Sequence, residues 1–257
     1  MKIEGSALDN PVSLRRDGNV AIITIDNPPV NALRHGVRKG IMENVIAARD
    51  DASVEAIILT GAGRTFVAGA DITEFGKPPQ APSLIDVIAT LDEVKKPTIA
   101  AVHGTPLGGG LELTMGCHFR VAAAGTRLGL PEIKLGLIPG YGGTQRLPRV
   151  IGEARALDMI MTGRTVDADE ALGMGLVNRL VDGDAVSAGV AYAREFSGYS
   201  LPVLACAREA VKRALDNPVS EGLRVEANLS TIAFQTADAV EGMDAFMAKR
   251  KAQFKDR

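Results

Sequence analysis

The chain has 257 residues but no tryptophan, only two cysteines and three histidines, and its formal net charge is −2. Since it has no basic stripe interleaved with aromatic residues, we expect no nucleic-acid partner. Cys117 and Cys206 lie far apart in apolar contexts, which is typical of reduced cysteines inside a protein. His35, His103 and His118 have no metal-ligand spacing to one another or to acidic residues. The sequence therefore predicts no metal site.

The sequence also lacks membrane-spanning segments, a signal peptide and the common catalytic motifs. No apolar run approaches the roughly 18 residues of a membrane span, and the first residues, MKIEGSALDNPVSL, lack the pattern of a signal peptide. The chain has no HExxH, paired CxxC, GxSxG or Walker lysine motif, and GAGRTF lacks the third glycine of a dinucleotide fingerprint. We therefore expect a cytoplasmic protein with no membrane partner and none of these standard sites.

The order of apolar patterns predicts an α/β core followed by a helical tail. VSLRRDGNVAIITIDNP is typical of a hairpin that turns at its Asp-Gly-Asn, and RHGVRKGIMENVIAARDD has apolar residues at helical spacing. VEAIILTGAG and PTIAAVHG predict buried strands, and the helical pattern between them, SLIDVIATLDEVKK, is expected to stop at Pro97. From about Gly152 the patterns are mostly helical, and only GLVNRLV predicts a strand.

Glycine, in contrast, is abundant, with 28 residues that cluster in three turns: VAGAD (67–71), LGGGLE (107–112) and IPGYGG (138–143). The first two follow strand patterns and precede helical ones, so their backbone amides point outward beside the positive end of a helix dipole. Two amides aimed at one point form an oxyanion hole, in which each donor contributes about 2.7–4 kcal/mol to catalysis. The alternative is that all three are simple tight turns.

Two glutamates lie in apolar stretches near these turns. Glu112 stands at the start of a helical pattern between two leucines, and Glu132 follows Pro131 in LGLPEIKLGL. Two carboxylates in one cleft can work as acid and base, because burial and mutual repulsion separate their pKa values. They can also hold a water molecule between them. Stabilisation of a helix dipole by Glu112 and a surface position for Glu132 are the alternatives.

Four stretches together resemble the enoyl-CoA hydratase/isomerase family, the crotonases: TFVAGADITEF, AAVHGTPLGGGLELTMGCHFRVA, LGLPEIKLGLIPGYGGTQRLPRVIG and MTGRTVDADEALGMGLVNRLV. The resemblance covers nearly the whole chain. It implies a crotonase-like α/β fold, in which ββα repeats spiral into two near-perpendicular sheets over residues 1–195. It also implies a C-terminal helical region, residues 196–257, that forms homotrimers, and trimers in this family commonly pair into homohexamers.

The same resemblance implies the roles of individual residues. Ala70 and Gly109 would donate the two oxyanion-hole amides, and Glu112 and Glu132 would be the two catalytic acids. Gly140 would begin a helix that faces the pocket. The remaining residues expected to bind the coenzyme A substrate are Val30, Ala32, Ala68, Asp71, Ile72, Phe246 and Lys249, of which the last two would cover the adenine. For Lys249, a purely solvated position is the alternative.

The expected function is that of an enoyl-CoA hydratase. Such an enzyme adds water in syn fashion to a trans-2-enoyl-CoA and gives a 3-hydroxyacyl-CoA, with no metal or redox cofactor. A Δ3,Δ2-enoyl-CoA isomerase or another crotonase activity on coenzyme A thioesters is the first alternative, although isomerisation can manage with one carboxylate and this sequence has two. A non-catalytic, RNA-binding relative is a remote alternative, against which the balanced charge argues.

Overall fold

A computed structural model of the chain describes residues 10–256, so most of the MKIEGSALDNPVSL segment lies outside the described residues. The chain divides into two compact units, one extending to Arg194 and the other beginning at Glu195. Among residues 10–256, no helix is long and apolar enough to cross a membrane.

A six-stranded mixed sheet forms the centre of the N-terminal unit. The strands are β1 (Val12–Asp17), β2 (Val20–Ile25), β3 (Ala56–Gly61), β4 (Thr98–Val102), β5 (Phe119–Ala123) and, later in the chain, β8 (Arg179–Val181). They lie in the order β1-β2-β3-β4-β5-β8, with β1 and β2 antiparallel and every later pair parallel. Every residue of β3 and β4 is buried, which explains their continuous apolar sequences. The predicted hairpin and buried strands are confirmed.

A second, two-stranded sheet pairs β6 (Arg127–Gly129) with β7 (Thr165–Asp167) in antiparallel fashion. Sequence analysis did not predict β7. A strand of three residues contains too little alternation of apolar and polar positions to be read from the sequence.

The α-helices that accompany these sheets in the described part of the chain are α1 (His35–Asp50), α2 (Leu84–Glu93), α3 (Gly109–Thr114), α4 (Gly143–Ile151), α5 (Glu153–Thr162), α6 (Ala168–Gly173) and α7 (Ala185–Phe196). Helix α1 packs on β1 and β2 through a buried apolar face that includes Val37, Ile41 and Val45. Ser83 and Asp86 form a capping box at the start of α2.

Three helix boundaries differ from the predictions. Helix α2 ends at Glu93, before the expected stop at Pro97. Helix α4 begins at Gly143, with Gly142 as its N-cap, so Gly140 does not begin a helix. The VAGAD turn leads into a single 3-10 turn, Ile72–Glu74, rather than directly into a helix.

The C-terminal unit contains α8 (Leu201–Arg213), α9 (Val219–Phe234) and α10 (Ala237–Met247). Neither α8 nor α9 has a fully buried residue, and large apolar side chains such as Val211, Leu223 and Phe234 are exposed on them. An apolar cavity of about 460 Å³ lies within this unit, lined by residues that include Tyr199, Phe246 and Phe254.

Neither cysteine forms a disulfide. Cys117 is buried and Cys206 is half-buried, so the expectation of reduced, structural cysteines agrees with the structure.

We expect Gly110→Ala to destabilise the protein by about 2–4 kcal/mol, because the added Cβ would lie 2.0 Å from the carbonyl oxygen of Val67. Gly173→Ala, near the end of α6, is the matched control, since its Cβ would meet nothing within 4 Å. Urea unfolding followed by circular dichroism measures both. Equal unfolding midpoints for the two variants would contradict the packing described here.

Candidate active site

The loop after β3 and the start of α3 lie against each other. Leu107 N donates to Val67 O (3.3 Å), and a Cβ built on Gly109 would lie only 3.4 Å from the backbone nitrogen of Ala70. On the other side of the loop, Leu33 N donates to Gly69 O (3.0 Å). The first two glycine-rich turns, which are separated by some 40 residues of sequence, therefore meet at Ala70 and Gly109.

Two amides at this meeting point have no hydrogen-bond acceptor among residues 10–256: the N–H groups of Ala70 and Gly109. Gly108 N, the preceding amide, donates instead to Gly129 O (2.9 Å). Gly109 is the first residue of α3, where an N–H has no partner within the helix. The arrangement thus leaves two neighbouring donors available to an oxygen atom of a bound molecule.

Glu112 lies one turn into α3 and is fully buried. Its Oε1 accepts hydrogen bonds from Tyr141 N and Gly143 N, both at 2.8 Å. Its Oε2 is also buried and has no partner among the described residues. The carboxylate is therefore fixed through one oxygen and offers the other to the site.

The donors to Glu112 identify the function of the third glycine-rich turn, which sequence analysis did not assign. This turn carries the chain into α4, and its amides at the positive end of that helix bind the carboxylate. The available signal was a glycine turn directly before a helix, which is a pattern that favours anion binding. Gly140 itself is exposed, and neither carboxylate oxygen of Glu112 accepts from its amide within residues 10–256.

Glu132 lies in a 3-10 helix, Pro131–Leu135, and is half-buried. Its Oε1 approaches the start of α3 so closely that a Cβ on Gly108 would lie 3.0 Å away, and Gly108 also has a positive φ of 51°. Both features exclude a larger residue at this position. Oε2 of Glu132, like Oε2 of Glu112, is buried without a partner among residues 10–256.

Both glutamates are harder to ionise than ordinary surface acids. Burial raises the pKa of Glu112, and the two amide hydrogen bonds partly oppose the rise. Burial, with a smaller contribution from the negative charge of Glu112, raises the pKa of Glu132 to about 7. The two side chains are thus close enough to affect each other, and a proton is available at neutral pH.

The residues expected to bind the substrate next to Ala70 lie on adjacent segments. Ala68 N donates to Val30 O (3.0 Å), and Ala32 precedes Leu33, which forms a parallel bridge with Ala70. Ile72 is 69% exposed beside them. Asp71 uses its carboxylate locally, accepting from Thr73 N (2.9 Å) at the start of the 3-10 turn.

Phe246 and Lys249 belong to the C-terminal unit. Phe246 is 86% exposed and lines the apolar cavity there. Lys249 lies two residues beyond the end of α10, with a φ of 51°. Their proposed contact with the adenine stays a prediction.

No group of three histidine, cysteine, aspartate or glutamate side chains within residues 10–256 has the geometry of a metal site.

We expect Glu132→Gln to stabilise the protein at pH 8 but not at pH 4. The folded state raises the pKa of Glu132 from 4.5 to about 7, so the folded chain binds this proton more tightly than the unfolded chain. Wild-type stability should therefore fall, relative to the variant, as the pH rises from about 4.5 to about 7, by roughly 1–3 kcal/mol. Urea unfolding of both proteins across this range measures the difference. The exposed Glu153→Gln is the control, and a difference between Glu132→Gln and wild type that is constant with pH would contradict the burial of this carboxyl group.

The chain is similar to known proteins over nearly all of its length. A family model described as enoyl-CoA hydratase/isomerase matches residues 15–257. A probable enoyl-CoA hydratase of Mycobacterium bovis is 45% identical over 252 residues, which cover 96% of this chain and 98% of that protein. A crotonyl-CoA hydratase of Syntrophomonas wolfei is 36% identical over 260 residues, covering 95% of this chain and 97% of that protein.

Solved structures show the same fold. An enoyl-CoA hydratase from Bacillus anthracis superposes with a TM-score of 0.89 at 31% sequence identity, covering 96% of this chain and 100% of that one. The crotonase fold expected from the sequence is thereby confirmed. With a family model that matches nearly all of its length and with close relatives of the same size, the chain belongs to the enoyl-CoA hydratase/isomerase family.

Proposed function

We propose that this chain is an enoyl-CoA hydratase that adds water to a trans-2-enoyl-CoA and yields a 3-hydroxyacyl-CoA. The observation that carries the proposal is the convergence of four groups: the amides of Ala70 and Gly109, and one oxygen each of Glu112 and Glu132. None of the four has a hydrogen-bond partner within residues 10–256. The names of relatives, a probable enoyl-CoA hydratase and a crotonyl-CoA hydratase, support the same activity.

The two amides would stabilise the negative charge that develops on the substrate during the reaction. An isolated alkene resists attack by water, but conjugation with a thioester makes C3 electrophilic. As water bonds to C3, the electrons of the double bond shift and negative charge develops on the thioester oxygen. The N–H groups of Ala70 and Gly109 would donate to that oxygen. Donors fixed in advance stabilise the enolate more than the neutral thioester, which lowers the barrier.

The acids carry the protons. Glu112 would hold the water through Oε2 and accept a proton as the oxygen bonds to C3. Glu132, which retains its proton near neutral pH because its pKa is about 7, would protonate C2 of the enolate. One proton leaves water and one reaches carbon, so the pair holds a single proton before and after the reaction.

The presence of two acids favours hydration over Δ3,Δ2-isomerisation. Moving a proton from C2 to C4 can be done by one carboxylate, whereas adding water needs one group for the water proton and one for C2. Both Glu112 and Glu132 have a buried oxygen without a partner among the described residues, and isomerisation would use only one of them.

The proposed enzyme works without a cofactor and as an oligomer in the cytoplasm. The reaction needs no metal or redox cofactor, because the thioester itself accepts the developing charge. A homotrimer or homohexamer in the cytoplasm is consistent with the exposed apolar residues of α8 and α9, which include Val211, Val219 and Leu223, and with two cysteines that form no disulfide. Phe246 and Lys249 are proposed to contact the adenine of coenzyme A.

We expect Glu112→Gln and Glu132→Gln each to lower kcat for hydration of crotonyl-CoA by at least about 100-fold, with a much smaller effect on KM. The amide keeps the size of the side chain but removes its proton chemistry. Loss of absorbance of the conjugated thioester measures the rate. Glu153→Gln, an exposed acid on α5, should retain wild-type activity. Near-normal turnover by both site variants would refute the assignment of two catalytic acids.

We expect kcat/KM to depend on pH as a bell whose upper limb lies near pH 7. Above that value the free enzyme loses the proton from Glu132, and at low pH both acids are protonated, so only the singly protonated pair reacts. Hydration of crotonyl-CoA and dehydration of 3-hydroxybutyryl-CoA should give the same profile, because the net reaction takes up no proton. Initial rates in both directions from pH 5 to 9 test this. A profile that is flat through pH 7 would contradict the protonated Glu132.

A further inference from the structure

The segment that follows the Ala70 amide has little packing of its own. Between the 3-10 turn, Ile72–Glu74, and the start of α2 at Leu84, the chain forms no helix or strand, and residues 75–81 are all exposed. With so little apolar burial, hydrophobic packing contributes little to fixing the segment. Its conformation must depend on specific polar contacts.

Arg38, on the first turns of α1, supplies most of these contacts. The residue is only 8% exposed, and its guanidinium donates to Glu74 Oε2 (2.6 Å), Pro82 O (2.9 Å) and Gln80 O (3.3 Å). One planar group thus holds three points of the segment, which its rigid fork of donors makes possible.

His35 adds a second set of contacts from the same turn of α1. Its backbone N–H donates to Glu74 Oε1 (2.7 Å), so the Glu74 carboxylate is bound through both oxygens. The ring Nε2 of His35 lies 2.8 Å from Ala81 O. The exposed segment is therefore fastened to the start of α1 at four residues: 74, 80, 81 and 82.

The guanidinium also contacts the strand-like segment on the other side of Ala70. Arg38 Nη1 donates to Leu33 O (2.8 Å), and Leu33 in turn binds Gly69 O and forms the bridge with Ala70. At the other end of the segment, Pro82 is followed by Ser83 and Leu84. The Leu84 side chain would lie 3.0 Å from a Cβ built on Gly109. Arg38 thus reaches elements next to both of the amides that face the site.

From this network we propose that Arg38 and Glu74 are positioning residues that hold segment 74–82 against α1 and thereby fix the direction of the Ala70 amide. The inference rests on the proposed function, since the oxyanion hole gives the positioning its consequence. Neither residue needs to touch the substrate.

The expected effect of loosening this network falls on the transition state. Hydrogen bonds to a developing oxyanion depend steeply on direction and distance, whereas binding of the coenzyme A portion is spread over many contacts. A misdirected Ala70 amide should therefore lower kcat while KM changes little.

The experiment compares Arg38→Met, Glu74→Ala and Glu74→Gln with wild type, using crotonyl-CoA. We expect kcat to fall about 10- to 100-fold in Arg38→Met and in Glu74→Ala, with KM within about 3-fold of wild type. Glu74→Gln keeps an acceptor for Arg38 but loses the one for the His35 N–H, so its kcat should lie between those of Glu74→Ala and wild type. The double variant Arg38→Met/Glu74→Ala should be no worse than the poorer single variant, because the two residues act as one unit.

The control is Arg16→Met, which removes an arginine that binds Asp51 and Ser53 at the edge of the sheet. Activities are normalised to the folded fraction measured by circular dichroism. The control should keep wild-type kcat and KM.

Hydrogen–deuterium exchange gives a readout that does not depend on turnover. Exchange of the amides in residues 69–83 should rise at least 10-fold in Arg38→Met and stay unchanged in Arg16→Met. Wild-type exchange in Arg38→Met would overturn the positioning role whatever the enzyme does with crotonyl-CoA. Increased exchange with unchanged kcat would overturn the link to the Ala70 amide, while absence of hydration by wild type would overturn the proposed function together with that link.

Discussion

The close approach of α3 to the loop after β3 is the contact on which the site depends. The backbone of Gly110 lies so near the carbonyl oxygen of Val67 that a methyl group would overlap it. Only glycine permits this approach, and it brings the first N–H of α3 beside the amide of Ala70. The helix that carries one of these donors also carries Glu112. One backbone contact therefore determines the positions of three of the four groups in the proposed reaction.

Each of the three glycines in LGGGLE is required for a different physical reason. Gly108 has a positive φ and lies against Glu132, Gly109 starts the helix with its amide unpaired among the described residues, and Gly110 permits the approach to Val67. Gly108 is thus required for its backbone conformation, Gly109 for its available amide and Gly110 for its small size. The glutamate two positions later is buried because this helix starts inside the protein rather than at its surface.

Sequence reasoning performed best where the signal was local. The Asp-Gly turn predicted the β1–β2 hairpin, and the spacing of Val37, Ile41 and Val45 predicted α1. The apolar runs of β3 and β4 predicted strands buried on both faces. These features depend on the residues of one segment and its own periodicity, so they can be read without knowing the neighbours in space.

Contacts between distant segments could not be obtained in this way. The pairing of β6 with β7 joins two three-residue strands, and the binding of Glu112 by Tyr141 N joins residues 29 positions apart. Nothing in the spacing of RHGVRKGIMENVIAARDD distinguishes Arg38 from the other polar residues of this helix, yet Arg38 is buried and binds carbonyl groups some 40 residues away. The family resemblance supplied part of this long-range information, because it placed Glu112 and Glu132 in one site.

The two acids of the site are chemically unequal because their backbone surroundings differ. Oε1 of Glu112 accepts two amide hydrogen bonds at the start of α4, and such bonds favour the ionised form of a carboxyl group. Burial first, and then the nearby charge of Glu112, raise the pKa of Glu132 and favour its protonated form. When the pair holds one proton, these interactions favour its location on Glu132. The direction of proton transfer in the proposed hydration is thus set by main-chain groups of the third glycine turn, and no third ionisable side chain is required to establish it.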